Sequence, residues 1–539
     1  MKKLWVNIGI FFGCFLLLIT CLGAVLIMAP GMELLGIMYI RKTSGSVESK
    51  HTISNAGQFQ NIYVESDNIP VEIEFIQSNS IRVELIEQYD GFAKASPSPK
   101  VEIAHQGDTI VIKSHEYKPF IAHSRSEESG FKIKVPIYYN NNITVVSRKS
   151  KVDFCGLGAA VNDILVDTGG EVRFESDLKM HALNLTLDGN NAIISDAVVM
   201  YGSIVAKSNG GDLTIPQGFQ GRVEFTSSNG DLFLGKCAQL TFKSKTGDLR
   251  GVGGELPHIF GDAIIRTDGK IQIGGIEGSG IINAGNRTVS IGKKDSLCLA
   301  RLEIYTTLGD VNLIGAFTNS QSKIKTKYGD ITIESVAYAN IETTMGDVEI
   351  NNTLIDGQIT TKSGDVSVQV VSGLINITTK SGDVELGCNN YVLDNVNATT
   401  KSGDIEVLNA GNGEIVLTTN SGDVEFYQAT EYKSKLTINA NKSNVVLNGL
   451  TGETNVVTNR KITASVYDVN EPINLTGKNK RVEVHVRKTC YVDLESKKDI
   501  EVAPGMVEPT KKYRNAPLSE TKQIITIKTN KGEIAVITD

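Results

Sequence analysis

Thr361-Lys-Ser-Gly-Asp-Val-Ser-Val368, Thr379-Lys-Ser-Gly-Asp-Val-Glu-Leu386 and Thr400-Lys-Ser-Gly-Asp-Ile-Glu-Val407 are three copies of one phrase. The aspartate of the phrase recurs at Asp212, Asp231, Asp248, Asp310, Asp330, Asp347, Asp365, Asp383, Asp404 and Asp423. From Asp310 onward the successive separations are 20, 17, 18, 18, 21 and 19 residues. Degenerate copies extend the series: Lys151, Glu171 and Asn191 upstream, Gly269-Lys270 and Thr288 in the gap after Asp248, and Asn444, Lys461, Arg481 and Asp499 downstream. A last copy, Thr529-Asn-Lys-Gly-Glu533, follows an interruption. A fixed period of this length marks a solenoid, in which each repeat buries its apolar face only against its neighbours.

Alternation within the repeat makes the unit β. Apolar residues stand one and three positions after the aspartate, as Val366 and Val368 or Val424 and Phe426 do. Before the corner, Ile375, Ile377 and Thr379 alternate in the same way. A period of two places one face inward and one outward, so each rung holds two short strands joined at Gly-Asp. Glycine admits positive φ and aspartate bonds nearby amides, which makes a sharp corner the expected role of the ten aspartates. No proline interrupts His258 to Glu471, as stacked ladders require.

The fold class read from the sequence is therefore all-β: a single-chain β-solenoid, or β-helix, of rungs about 20 residues long, preceded by one transmembrane helix. Residues 1–42 are read as an N-terminal membrane anchor with its helix over about 4–28, and 43–60 as a polar linker. Irregular rungs and a cap are expected at 61–150, regular repeats at 151–502, and a loop excursion with a terminal capping rung at 503–539. Lys2 and Lys3 precede an uncharged stretch, Leu4 to Met28, long enough to span a bilayer and longer than a signal-peptide core. The positive-inside rule then puts the C-terminal domain outside the cell, on a single-pass signal-anchor.

Composition narrows the function. With 54 basic and 61 acidic residues the net charge is −7, which is no footprint for nucleic acid. The cysteines outside the apolar segment, Cys155, Cys237, Cys298, Cys388 and Cys490, lie far apart and read as free buried thiols. A column of aspartates invites a calcium reading. Here each rung offers one carboxylate with a lysine three residues before it in Lys362, Lys380 and Lys401, and two exposed charges ~5 Å apart repel by only about 1 kcal/mol. No metal and no cofactor is expected. The sequence contains no nucleophile elbow, zinc-protease motif or phosphate loop. A polysaccharide-cleaving β-helix would need converging carboxylates, for which Asp153, Glu171 and Glu175 are candidates only as any acid would be.

The phrase, introduced by Phe131-Lys-Ile-Lys-Val-Pro136 and Ile143-Thr-Val-Val-Ser147, resembles the adhesin-type bacterial β-strand-repeat family, a domain-of-unknown-function family of envelope proteins. The resemblance covers most of the chain after about Asn61. It implies a β-helical ectodomain, anchored or secreted, and no catalytic residues. The leading expectation is a non-catalytic, adhesin-like binding or spacer protein of the bacterial cell surface, attached to the membrane by its N-terminal helix. Its partner would be a cell-wall polymer, a host glycan or an envelope protein. The alternative is a scaffold or regulatory subunit of envelope-stress modules that partners membrane proteins, and a polysaccharide-active enzyme ranks third.

Overall fold

The computed structural model describes residues 32–34 and 38–538, except 94–99, 116–120, 126–128, 176, 299–300, 318–320, 388–392, 429–431, 468, 470, 487–490, 499, 503–511 and 515–523. The expected helix over about 4–28, the corner Asp499 and most of the excursion from Pro504 to Lys522 lie outside these residues. Among the described residues no helix is long and apolar enough to cross a membrane. The chain divides into two compact units, Met1–Lys236 and Cys237–Asp539. Each is a β-solenoid, and the only helical element among the described residues is the short 3₁₀ turn Ala56–Gln58.

Within the first unit two parallel ladders rise side by side. One stacks Asn61–Ser66, Asn142–Ser147, Ala159–Thr168, Leu178–Leu187, Val199–Ser208 and Arg222–Ser227. The other stacks Val71–Ile76, Val152–Gly156, Val172–Phe174, Ala192–Ile194, Leu213–Ile215 and Leu232–Leu234. Apart from one register shift at Met180/Ala182, inward residues stack on like residues: Val152 faces Val172 and Phe154 faces Phe174, whose rings stack at 4.6 Å. Inward positions such as Ile62, Ile143 and Ile164 are fully buried because they line one column. A half-slip would turn that column to water.

Stacking order departs from chain order at the start. The strands Thr109–His115 and Gly130–Pro136 pack on the far side of Asn61–Ser66 and Val71–Ile76, so the first rung in sequence is the second in space. Antiparallel strands then close both exposed edges: Lys100–Gln106 on Thr109–His115, and Ser80–Ala93 on Gly130–Pro136. Residues 43–60, read as a linker, prove otherwise. Strand Met38–Ser54 runs antiparallel to Ser80–Ala93 in continuous register from Arg41 opposite Ala93 to Ser54 opposite Ser80. An outermost edge strand needs no apolar period, and charges on such a strand discourage pairing with another chain, so hydropathy alone misses it.

The second unit repeats the two ladders and adds, near its start, a short third one in which His258–Ile259 pairs with Gly275–Ile276. One ladder carries Leu374–Thr378, Asn395–Thr400, Glu414–Thr419, Lys435–Ala440, Thr454–Thr458 and Ile473–Gly477. Its companion carries Val366–Val371, Val384–Leu386, Ile405–Ala410, Val424–Gln428, Val445–Leu450, Ile462–Val466 and Val482–Val486. The end is again out of order. Strands Ile524–Thr529 and Ile534–Thr538 insert between Ile473–Val486 and the strands Tyr491–Ser496 and Ile500–Val502. The rung at Glu533, expected to be terminal, is therefore followed in space by Tyr491–Ser496 and Ile500–Val502, and the antiparallel strand Lys512–Arg514 lies on the outer edge of Tyr491–Ser496. A long intervening segment allows this, because rungs recognise neighbours by register and not by sequence adjacency.

Candidate functional site

Every residue of the phrase has a separate task at the corner. Thr343, Thr361, Thr379, Thr400 and Thr419 are buried, and each hydroxyl accepts the N–H of the glycine three residues later at 2.9–3.1 Å. The serine hydroxyls of Ser381, Ser402 and Ser421 donate to the carbonyls of Lys362, Lys380 and Lys401 on the rung before. The lysines themselves stay exposed. The glycines do not supply positive φ. Left-handed backbone occurs instead four or five residues after the corner, at Gly315, Gly387, Asn409 and Gly449. Gly364, Gly382, Gly403 and Gly422 are required by close approach, since a Cβ on any of them would strike the carbonyl oxygen of the glycine one rung earlier.

The aspartates bond across rungs more than within a turn. Asp310 Oδ1 accepts the backbone N–H of Asp330, and the pattern continues through Asp347, Asp365, Asp383, Asp404 and Asp423 to Asn444, at 2.7–3.1 Å throughout. Asp248 does the same for Lys270 at 2.6 Å. In the first unit Asn191 accepts from Asp212, and Asp212 from Asp231. Nine of the ten corner aspartates thus turn one carboxylate oxygen to the next rung. A hydrogen bond of this kind contributes about 1 kcal/mol, comparable to the repulsion of about 1 kcal/mol between adjacent carboxylates ~5 Å apart in water. The column holds together without further help.

Near the end of the second unit the corner changes character, and there the surface becomes concave. Where earlier rungs present lysine before the corner, the sequence reads Lys401, Asn420, Asn441, Asn459 and Lys478 on successive rungs. These five line an open groove of about 470 Å³, walled on one side by Thr418, Asn439 and Val457. Its floor is fixed by backbone bonds between rungs: Lys442 N–H to Asn420 O, Asn459 N–H to Asn441 O and Lys478 N–H to Thr458 O, at 2.9–3.0 Å. The asparagines form a side-chain ladder. Asn441 Nδ2 donates to Asn420 Oδ1 at 2.8 Å, and Asn459 Nδ2 to Asn441 Oδ1. Each amide can make more bonds than the ladder uses, so N–H donors and an Asn459 acceptor remain directed at solvent.

The corner residues beside the groove switch sign. Asp404 and Asp423 give way to Asn444, Lys461 and Arg481, and Lys442, Arg460 and Lys480 stand next to them. Lys461 and Arg481 engage Glu483 at 3.5 Å. Among the described residues Lys442, Arg460 and Lys478 have no ion-pair partner. The sequence did contain this signal. It lay in the position before the corner, where neutral amides replace lysine, and it becomes a groove only once the rungs are stacked.

The acids named for a polysaccharide enzyme lie elsewhere. Asp153, Glu171 and Glu175 stand on or beside Val152–Gly156 and Val172–Phe174, and each is ion-paired: Asp153 with Lys151 at 2.8 Å, Glu171 and Glu175 with Arg173 at 3.0 and 3.9 Å. Burial pushes the Asp153 carboxyl above its ordinary range, although Lys151 pulls the other way. Of the cysteines read as free buried thiols, Cys388 and Cys490 lie outside the described residues. Cys237 and Cys298 are buried and Cys155 half-buried, and burial raises the thiol pKa to about 12 at both Cys155 and Cys237.

A family model described as Toastrack DUF4097 matches residues 59–333, 240–387 and 372–537. No curated protein matches the chain in sequence. Among solved structures, a "putative cell adhesion protein" from Clostridium sporogenes aligns over 92% of this chain and 100% of its own, at 7% identity and a TM-score of 0.16.

Proposed function

Because the chain belongs to the Toastrack DUF4097 family, we propose that it is a non-catalytic binding scaffold of the bacterial cell surface, whose binding site is the groove between Lys401 and Lys478. The observation that carries this reading is the asparagine ladder in the groove floor, whose amides keep unused hydrogen-bonding capacity along three consecutive rungs. A ladder needed only for folding would have no reason to coincide with a concavity or to be framed by cations that have no ion pair among the described residues. The aspartate column supports a structural reading of the remaining corners, since its carboxylates are occupied in joining rung to rung.

The uncharged stretch Leu4 to Met28 behind Lys2 and Lys3 supports attachment to the membrane with the solenoid outside. The solenoid would then serve as both spacer and display surface. The test is retention of the full chain on isolated peptidoglycan, on mucin and on whole cells. We expect retention on at least one of these surfaces, reduced by changes in the groove and unaccompanied by release of reducing sugar. Absence of retention on all three would overturn the reading.

A further inference from the structure

Resting on the groove as the binding site, we propose that its ligand is a linear, β-linked acidic glycan laid along the stack, about one sugar to each rung. Three properties of the groove carry this. The first is spacing. Successive rungs are ~4.8 Å apart, close to the advance of one sugar in an extended β-linked chain, whereas an extended peptide repeats its side-chain direction every ~6.6 Å and drifts out of step.

The second is chemistry. Asn420, Asn441 and Asn459 offer neutral donors and acceptors at a fixed repeat, held in place by their own ladder and by the backbone bonds beneath. Paired hydroxyls on successive sugars meet such an array with both partners satisfied. A polymer of bare phosphates would leave the acceptors unpaired, which is costly once water is displaced.

The third is charge. The corner column turns from acidic to basic beside the groove, and Lys442, Arg460 and Lys478 have no ion pair among the described residues. Lys401 stands four rungs below Lys478, so ammonium groups frame the floor at a separation of roughly 19 Å. Carboxylates on alternate sugars of a glycan spanning those rungs would meet cations at both ends. Uncharged asparagines between them favour sugars that carry hydroxyl or acetamido groups there.

The experiment is calorimetric titration of the full chain with a hyaluronan hexasaccharide, with cellohexaose as the neutral control and polyphosphate as the anionic, sugar-free control. We expect saturable binding of the acidic oligosaccharide, weakened about tenfold by the double variant Lys442→Gln/Lys478→Gln and by added salt. Asn441→Leu should weaken both oligosaccharides about tenfold. Melting curves check that it folds, and the lysine pair, being exposed, tests the site independently. Polyphosphate binding as tightly as hyaluronan, or cellohexaose doing so, overturns the acidic-glycan assignment. Retention on a cell surface that Asn441→Leu abolishes, without hyaluronan binding, overturns the ligand class and leaves the groove as a binding site. Loss of every form of retention overturns both.

Discussion

Gly382 and Asp383 are adjacent in sequence and stand under opposite constraints. Gly382 is buried against the Gly364 carbonyl, so Gly382→Ala should cost about 3 kcal/mol by forcing two rungs apart. Asp383 is exposed, and its contribution is one acceptor for the Asp404 N–H. Asp383→Ala should therefore cost about 1 kcal/mol, and Asp383→Asn, which keeps an oxygen in place as Asn191 does naturally, less than about 0.5 kcal/mol. Chemical denaturation of the three variants checks the ranking. An Asp383→Ala variant more damaging than Gly382→Ala would mean that the ladder, not the close approach, governs the corner. The repeat alone suggests positive φ as the reason for the glycine, whereas Gly382 has no positive φ and is required by its close approach to the Gly364 carbonyl. Conformational freedom and lack of a side chain leave the same mark in a sequence, and only the distance to the next rung separates them.

Among elements, the outward columns are set by register. Strands Val384–Leu386, Ile405–Ala410 and Val424–Gln428 bring Glu385, Glu406 and Glu425 directly opposite one another. Partial burial, and then these two neighbouring carboxylates, raise the Glu406 carboxyl above its ordinary range. Protonation is thus easier in the folded chain than in the unfolded one. Ionised Glu406 costs stability above its folded pKa, and the cost fades as pH falls through it. Glu406→Gln should accordingly raise the melting temperature at neutral pH, by a gain of a few tenths to about 1 kcal/mol, and lose that advantage in acid. A thermal scan at two pH values checks it, and a gain that grows in acid would sink the argument. The asparagine column obeys the same register logic with the opposite consequence, because stacked amides bond where stacked carboxylates repel.

At the scale of the chain, both ends exchange the order of their rungs. In the second unit Ile524–Thr538 is clasped between Ile473–Val486 and Tyr491–Val502, so each of these rungs depends on a segment that arrives last in sequence. A chain ending after Val502 leaves a pair of apolar strand edges to compete for the same partner. We expect it to self-associate with concentration where the full chain does not, as light scattering after size exclusion would register. A truncated chain indistinguishable from the full one would mean that the outer rung docks directly onto Ile473–Val486.

The sequence by itself determined the solenoid, its two strands per rung, the corner at each aspartate and the buried alternation from Val152 to Val536, because a period of two inside a period of about 20 has few other physical solutions. Tertiary structure alone decided the rest. It placed the last rung in sequence inside Tyr491–Ser496, turned the polar stretch before Asn55 into an edge strand, gave each aspartate a partner on another rung and drew three asparagines into one groove. These are relations between residues 17 or more positions apart, governed by register and close approach. A linear sequence records which residues repeat, and only stacking settles which of them touch.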